Sequence, residues 1–150
     1  MLGVYSTEAG EQLFTAESKH GQGVNDLCFT SEENEVVTCS SDRTARVHKI
    51  DLEAKALEQK DVLNYSDFDT QGYKDNVEKQ MLGLLYSEKD QEILSVNLHS
   101  DINVWSKANL TEKPVKTIRG HANAVKAINL FNGTIPVTGD LDGRLLSWDW

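Results

Sequence analysis

His121, Thr138 and Asp142 bring an imidazole, a hydroxyl and a carboxylate into one short stretch, and the same types recur as His20, Thr38 and Asp42. A hydroxyl, an imidazole and a carboxylate make up a nucleophilic triad, and His with Asp can ligate a metal. What completes each set points elsewhere. Trp148 stands six residues after Asp142, and His48 six after Asp42. An indole offers only an N–H donor. A hydrogen-bonded chain from indole to hydroxyl to imidazole to carboxylate therefore uses all four side chains without any substrate. Each such buried bond contributes on the order of 1 kcal/mol net, and more where one partner is charged. Both sets, His121, Thr138, Asp142, Trp148 and His20, Thr38, Asp42, His48, are expected to be structural. His48 is a weakened position: it donates an N–H but buries less apolar surface than an indole.

A third constellation has the spacing of a calcium loop. In DFDTQGYKDNVE, oxygen ligands fall at positions 1, 3, 5, 9 and 12 as Asp67, Asp69, Gln71, Asp75 and Glu78, with Gly72 at position 6. Gln71 stands where an Asp or Asn is usual, Lys74 puts a cation at an apolar packing position, and no second loop pairs with it. The expectation is a solvated acidic loop, with no metal and no cofactor.

The elements that position the two His sets are short strands. Asp142-Gly143 suits a tight turn, because Gly takes the positive φ that such turns demand. The turn returns Trp148 beside Thr138. Ahead of it, Val125, Ala127, Ile128 and Leu130 line a strand. The same order precedes it in the chain: Val24 to Phe29, then Val36-Val37-Thr38, then Asp42 and His48. Ala56 to Leu63 is expected as the outer strand of that unit, although Asp51 to Gln59 has helix-forming composition. Asn64 to Lys79 is a polar insertion. A third copy runs from Met81 through Glu92 to Val96, Ile102 to Trp105 and Lys113 to Ile118. It keeps Ser95 and Trp105 at the Thr and Trp positions. His99 replaces its turn Asp, however, and no Gly-His precedes it. Met1 to Ser6 and Gln12 to Ala16 read as two further strands.

With Gly120-His121 ahead and Trp148-Asp149 behind, this order resembles the WD repeat, one blade of a β-propeller. The resemblance implies an all-β fold, a partial β-propeller of four-stranded antiparallel WD-repeat blades. Residues 1–18 would end a blade, 19–63 form one, 77–118 form a degenerate one, and 119–150 form one lacking its outer strand. Closed propellers typically have 4 to 8 blades, so the expectation is a piece of a longer protein or an incomplete gene model.

Composition limits the function classes. Twenty-four acidic against 15 basic residues give a net charge of −9, and phosphate backbones attract basic surfaces, so nucleic acid is not an expected partner. No apolar run approaches the roughly 20 residues of a membrane-spanning helix, and no leader pattern opens the chain, so no membrane partner is expected. Cys28 and Cys39 are expected to be buried reduced thiols of a cytosolic protein. Outside the repeat framework no nucleophile–base pair, phosphate loop or Cys/His cluster stands, so no enzyme is expected.

Three runs carry a finer likeness: Ile93 to Val104 (ILSVNLHSDINV), Lys113 to His121 (KPVKTIRGH) and Gly139 to Trp148 (GDLDGRLLSW). With Gln80-Met81-Leu82-Gly83 ahead of them, they resemble the later blades of the first propeller in the actin-interacting protein 1 family. That family has the same degenerate blade, a Pro-containing outer strand and then a well-formed Gly-His blade. The resemblance implies actin filaments and cofilin as partners, cofilin-dependent filament disassembly as the function, and a cytoplasmic, cytoskeletal location. His48-Lys49 in place of Trp-Asp and the long insertion depart from the pattern, and the family's filament contacts match no residues here. A general WD-repeat scaffold or adaptor is the alternative.

Overall fold

A computed structural model describes residues 1–65 and 76–149, and within them the regular secondary structure is almost wholly antiparallel strand. β1 (Leu2–Tyr5) and β2 (Gln12–Ala16) form a two-stranded sheet. β3 (Val24–Phe29), β4 (Glu35–Ser40), β5 (Thr44–Asp51) and β6 (Ala56–Asn64) form a four-stranded sheet in chain order. After a 3-10 turn at Asn76–Lys79, β7 (Met81–Ser87), β8 (Glu92–Asn97), β9 (Ile102–Ser106) and β10 (Lys116–Ile118) form a second one. β11 (Val125–Phe131), β12 (Ile135–Asp140) and β13 (Leu145–Ser147) form a three-stranded sheet. The fold is a partial β-propeller of WD-repeat blades.

Strand outcompetes helix at Ala56–Asn64 because β6 pairs with β5 along its length, from Asp51↔Ala56 to Thr44↔Asn64, with a single register shift that leaves Lys60 without a partner residue in the ladder. Tertiary pairing here overrides local composition. At the other outer strand the sequence reading ran too far, since β10 begins only at Lys116. Pro114 has no N–H for the ladder, and the first bond across is Val115 N–H to Val104 O, at 2.8 Å.

The three inner strands share one irregularity. The register slips between Val24 and Asp26, between Met81 and Gly83, and between Val125 and Ala127. Such a bulge inserts a residue and sharpens the local twist. In β3 it turns two side chains toward the next sheet: Asp26 Oδ2 accepts from Leu84 N at 2.9 Å, and Asn25 Nδ2 donates to Met81 O at 2.7 Å. Gly83 leaves room for this approach. A Cβ there would lie 2.9 Å from Val96 Cγ2 and 3.5 Å from Asp26 Oδ2.

The core lies between sheets. Val37, Cys39, Val47 and Leu63 pack against Met81, Leu84, Tyr86 and Trp105. On the far side of the same middle sheet, Leu94, Val96, Ile102 and Val104 pack against Val125, Ile128, Leu130 and Trp148. Burial on both faces explains why β7, β8 and β9 read as nearly continuous apolar runs rather than alternating ones. Register aligns Tyr86 with Phe29. Tyr86, facing a preceding sheet, is 8% exposed, and Phe29 is 66% exposed.

Candidate functional site

In the last blade the hydrogen-bonded chain is present, but its carboxylate is Asp140 and not Asp142. Trp148 Nε1–H donates to Thr138 Oγ1 at 2.8 Å, the Thr138 hydroxyl meets His121 Nε2 at 2.7 Å, and His121 Nδ1 lies 2.7 Å from Asp140 Oδ2. The Asp140 carboxylate only accepts, which places the imidazole proton on Nδ1; Nε2 then accepts from the Thr138 hydroxyl, whose oxygen takes the indole N–H. Asp142 instead accepts from the exposed Asn123 side chain at 3.1 Å. The comparison with the earlier blade gives the reason. There Ser40 caps the turn by accepting from Asp42 N, and Thr44 Oγ1–H ties Asp42 Oδ1 inward at 2.7 Å. In the last blade these aligned positions are Asp140 and Arg144. Asp140 fills both roles at once: Oδ1 takes the amides of Asp142 and Arg144, and Oδ2 takes the imidazole. With no Thr at 144, nothing draws Asp142 inward. Burial works against the Asp140 carboxylate, but the Arg144 amide, His121 and the Asp142 amide outweigh it and hold its pKa below the usual value.

The first complete blade brings together His20, Thr38, Asp42 and His48. His20 Nδ1 lies 3.0 Å from Asp42 Oδ2, His20 Nε2 lies 2.9 Å from Thr38 Oγ1, and Thr38 Oγ1 lies 3.3 Å from His48 Nε2. Burial of Asp42 is opposed by the hydroxyl and amide of Thr44, the amide of Gly21 and His20, which bring its pKa to about 2. His48 is fully buried, and its Nδ1 has no hydrogen-bond partner. One contact relates its small size to a distant residue. A Cβ added at Gly120, just before His121, would lie 2.7 Å from Trp148 Cη2. The residue before His20 is Lys19, which carries a Cβ, and the side chain at the Trp position is the smaller imidazole.

The degenerate blade keeps the Trp105 Nε1–H to Ser95 Oγ bond, at 2.9 Å. A residue that sequence reasoning left in the insertion is central to it. Tyr65 is fully buried, meets Trp105 edge-on with ring centroids 5.5 Å apart, and accepts from Asn103 Nδ2 at 3.0 Å and Asn97 Nδ2 at 3.4 Å. Asn97 aligns with Asp140, so an amide and a phenol stand in for the carboxylate and imidazole. A Tyr directly after an apolar strand end, Val62-Leu63-Asn64, was the signal available.

Of the calcium-loop residues, Asp67, Asp69, Gln71 and Asp75 lie outside the described residues. Glu78 lies in the 3-10 turn, 3.3 Å from His99 Nδ1. Among the described residues no group of three or more His, Cys, Asp or Glu side chains could hold a metal. Cys28 and Cys39 are free thiols, half-buried and buried, and burial followed by the Asp26 charge raises both pKa values, that of Cys28 to about 12.

Chemically, both hydroxyl–imidazole–carboxylate chains are committed inside the fold. Thr38 is fully buried and Thr138 is 1% exposed, and each hydroxyl already bridges two ring nitrogens. A depression of about 680 Å³ lies elsewhere, lined by Lys49, Ile50, Asp51, Leu52 and Glu58 among others, and holds no Ser, His or Cys.

The model of the WD domain, G-beta repeat family matches residues 10–49 and 112–149, the two stretches that hold these His chains. No curated protein matches the chain.

Proposed function

Since the chain belongs to the WD domain, G-beta repeat family, whose repeats serve as protein-interaction scaffolds, we propose that its partners are actin filaments bearing cofilin, whose disassembly it promotes in the cytoplasm. One observation carries this reading: the degenerate blade keeps Ser95 and Trp105 but has His99 at the turn position, and a Pro114-containing segment and the Gly120-His121 blade follow it. A general adaptor has no reason to reproduce that order, which resembles the actin-interacting protein 1 family. The net charge of −9 argues against a simple basic patch for an acidic filament. Contact would depend on a surface that cofilin helps to create. Co-sedimentation with bare and with cofilin-decorated filaments tests this. Pelleting is expected only on decorated filaments. If neither filament pellets the protein, the general scaffold becomes the better reading.

A further inference from the structure

The blade around His20 carries two imidazoles on one hydroxyl, where the blade around His121 has an imidazole and an indole. We propose that the His20–Thr38–His48 chain makes the β3–β6 sheet an acid-labile element of the propeller, which releases the β2–β3 loop and the β4–β5 turn as pH falls below neutrality.

The proton inventory leads there. His20 Nδ1–H is directed at Asp42, so His20 Nε2 accepts from the Thr38 hydroxyl, and the Thr38 oxygen accepts from His48 Nε2–H. Both rings are then neutral, with every polar atom of the chain used except His48 Nδ1. An added proton on His48 must go to that nitrogen, which is buried and faces no acceptor. An added proton on His20 turns Nε2 into a donor, so the Thr38 hydroxyl must stop donating to it and turn to the Arg46 carbonyl, a long contact of 3.5 Å.

The surroundings oppose either charge. The permanent charge acting on His48 is cationic, Arg46 on β5, and His20 from the β2–β3 loop adds a second positive charge only once it is itself protonated. β4 offers only the Thr38 hydroxyl, and opposite on β6 stands Gln59. The nearby carboxylate, Asp42 in the β4–β5 turn, is already taken by His20, the Gly21 amide and Thr44. Apolar Leu2, Val4 and Leu27 line the groove on the face of Val36 and Ile50. Burial, first, and then these cations lower the His48 pKa to about 4; burial also lowers that of His20, Asp42 opposing it only in part.

A lowered pKa in the fold means that the unfolded or opened segment binds more protons. Stability of the sheet is therefore complete above about pH 6.5, the ordinary value of histidine, and declines as pH falls from there toward the folded values. Each imidazole shifts the opening equilibrium by up to about tenfold per pH unit in that window. The β2–β3 loop goes with it, because Asp42 holds Gly21 N and His20 together at 2.8 and 3.0 Å.

Hydrogen–deuterium exchange of the chain at pH 7 and pH 5, corrected for the intrinsic pH dependence of exchange, reads this directly. Protection over residues 17–51 should fall at least tenfold more than protection over 81–106. His48→Gln, which keeps an N–H donor but does not titrate, should remove part of that difference. An NMR titration of the wild-type imidazoles is a second readout that needs no variant, and should find His48 neutral, with its proton on Nε2, at pH 5.5. Equal loss of protection in both sheets, or a His48 ring that titrates near 6.5, would overturn the proposal.

Discussion

His121 Nδ1 lies 2.7 Å from Asp140 Oδ2 with both side chains sealed from solvent, while Asp142, two residues on, faces outward to Asn123. The two carboxylates therefore separate by substitution. Asp140→Asn should lower the urea midpoint clearly, and Asp142→Asn should stay within the scatter of surface changes. Thr138→Val, which leaves an indole N–H and an imidazole nitrogen unpaired, should cost about 1–3 kcal/mol. Equal midpoints for the two Asp variants would return the role to Asp142.

That carboxylate shows where the sequence was legible and where it was not. Strand order, the sheets and the first His chain follow from periodicity and from an offset of four residues between Thr38 and Asp42. The same offset in the last blade selects Asp142. Only the absence of a Thr at 144 and the presence of an acid at the Ser40 position mark Asp140, and neither is visible to a spacing rule. Tyr65 was hidden for a different reason: its partners, Asn97 and Asn103, lie on strands that follow it by more than thirty positions. Insertion composition described its neighbours in sequence and not its place in the core.

Gly120 and Trp148 form a size pair that Lys19 and His48 replace. Gly120→Ala should destabilise by about 1–3 kcal/mol through overpacking, since the Cβ would meet the indole 2.7 Å away. His48→Trp alone should fail to stabilise the earlier blade, and Lys19→Gly combined with His48→Trp should. Thermal melts of the single and double variants check the coupling; additive effects would contradict it.

The turn after each second strand uses one left-handed residue at the same repeat position: Arg43 at φ 70°, Ser100 at φ 72° and Gly143 at φ 80°. Only the last is the residue that the conformation favours. Gly143→Ala should cost about 1 kcal/mol, and Arg43→Gly should change stability little or raise it, as chemical denaturation will show.

Lys107 crosses from the β9–β10 connection to the β3–β4 turn, meeting Glu32 and, at 2.9 Å, Glu35. Burial opposes its charge, but the two carboxylates outweigh that and raise its pKa above the ordinary value. A raised lysine pKa gives stability that is complete below about pH 10.5 and lost as pH rises through the folded value. Lys107→Met should cost about 1–3 kcal/mol at pH 7, because it strips the ammonium from the nearly buried Glu35. The loss should shrink in melts above pH 11.

Single-filament imaging of actin with and without cofilin tests the functional account most directly. The account predicts that micromolar protein raises the disassembly rate of cofilin-decorated filaments and leaves bare filaments unchanged. Decorated filaments that shorten at the same rate with and without the protein would contradict it.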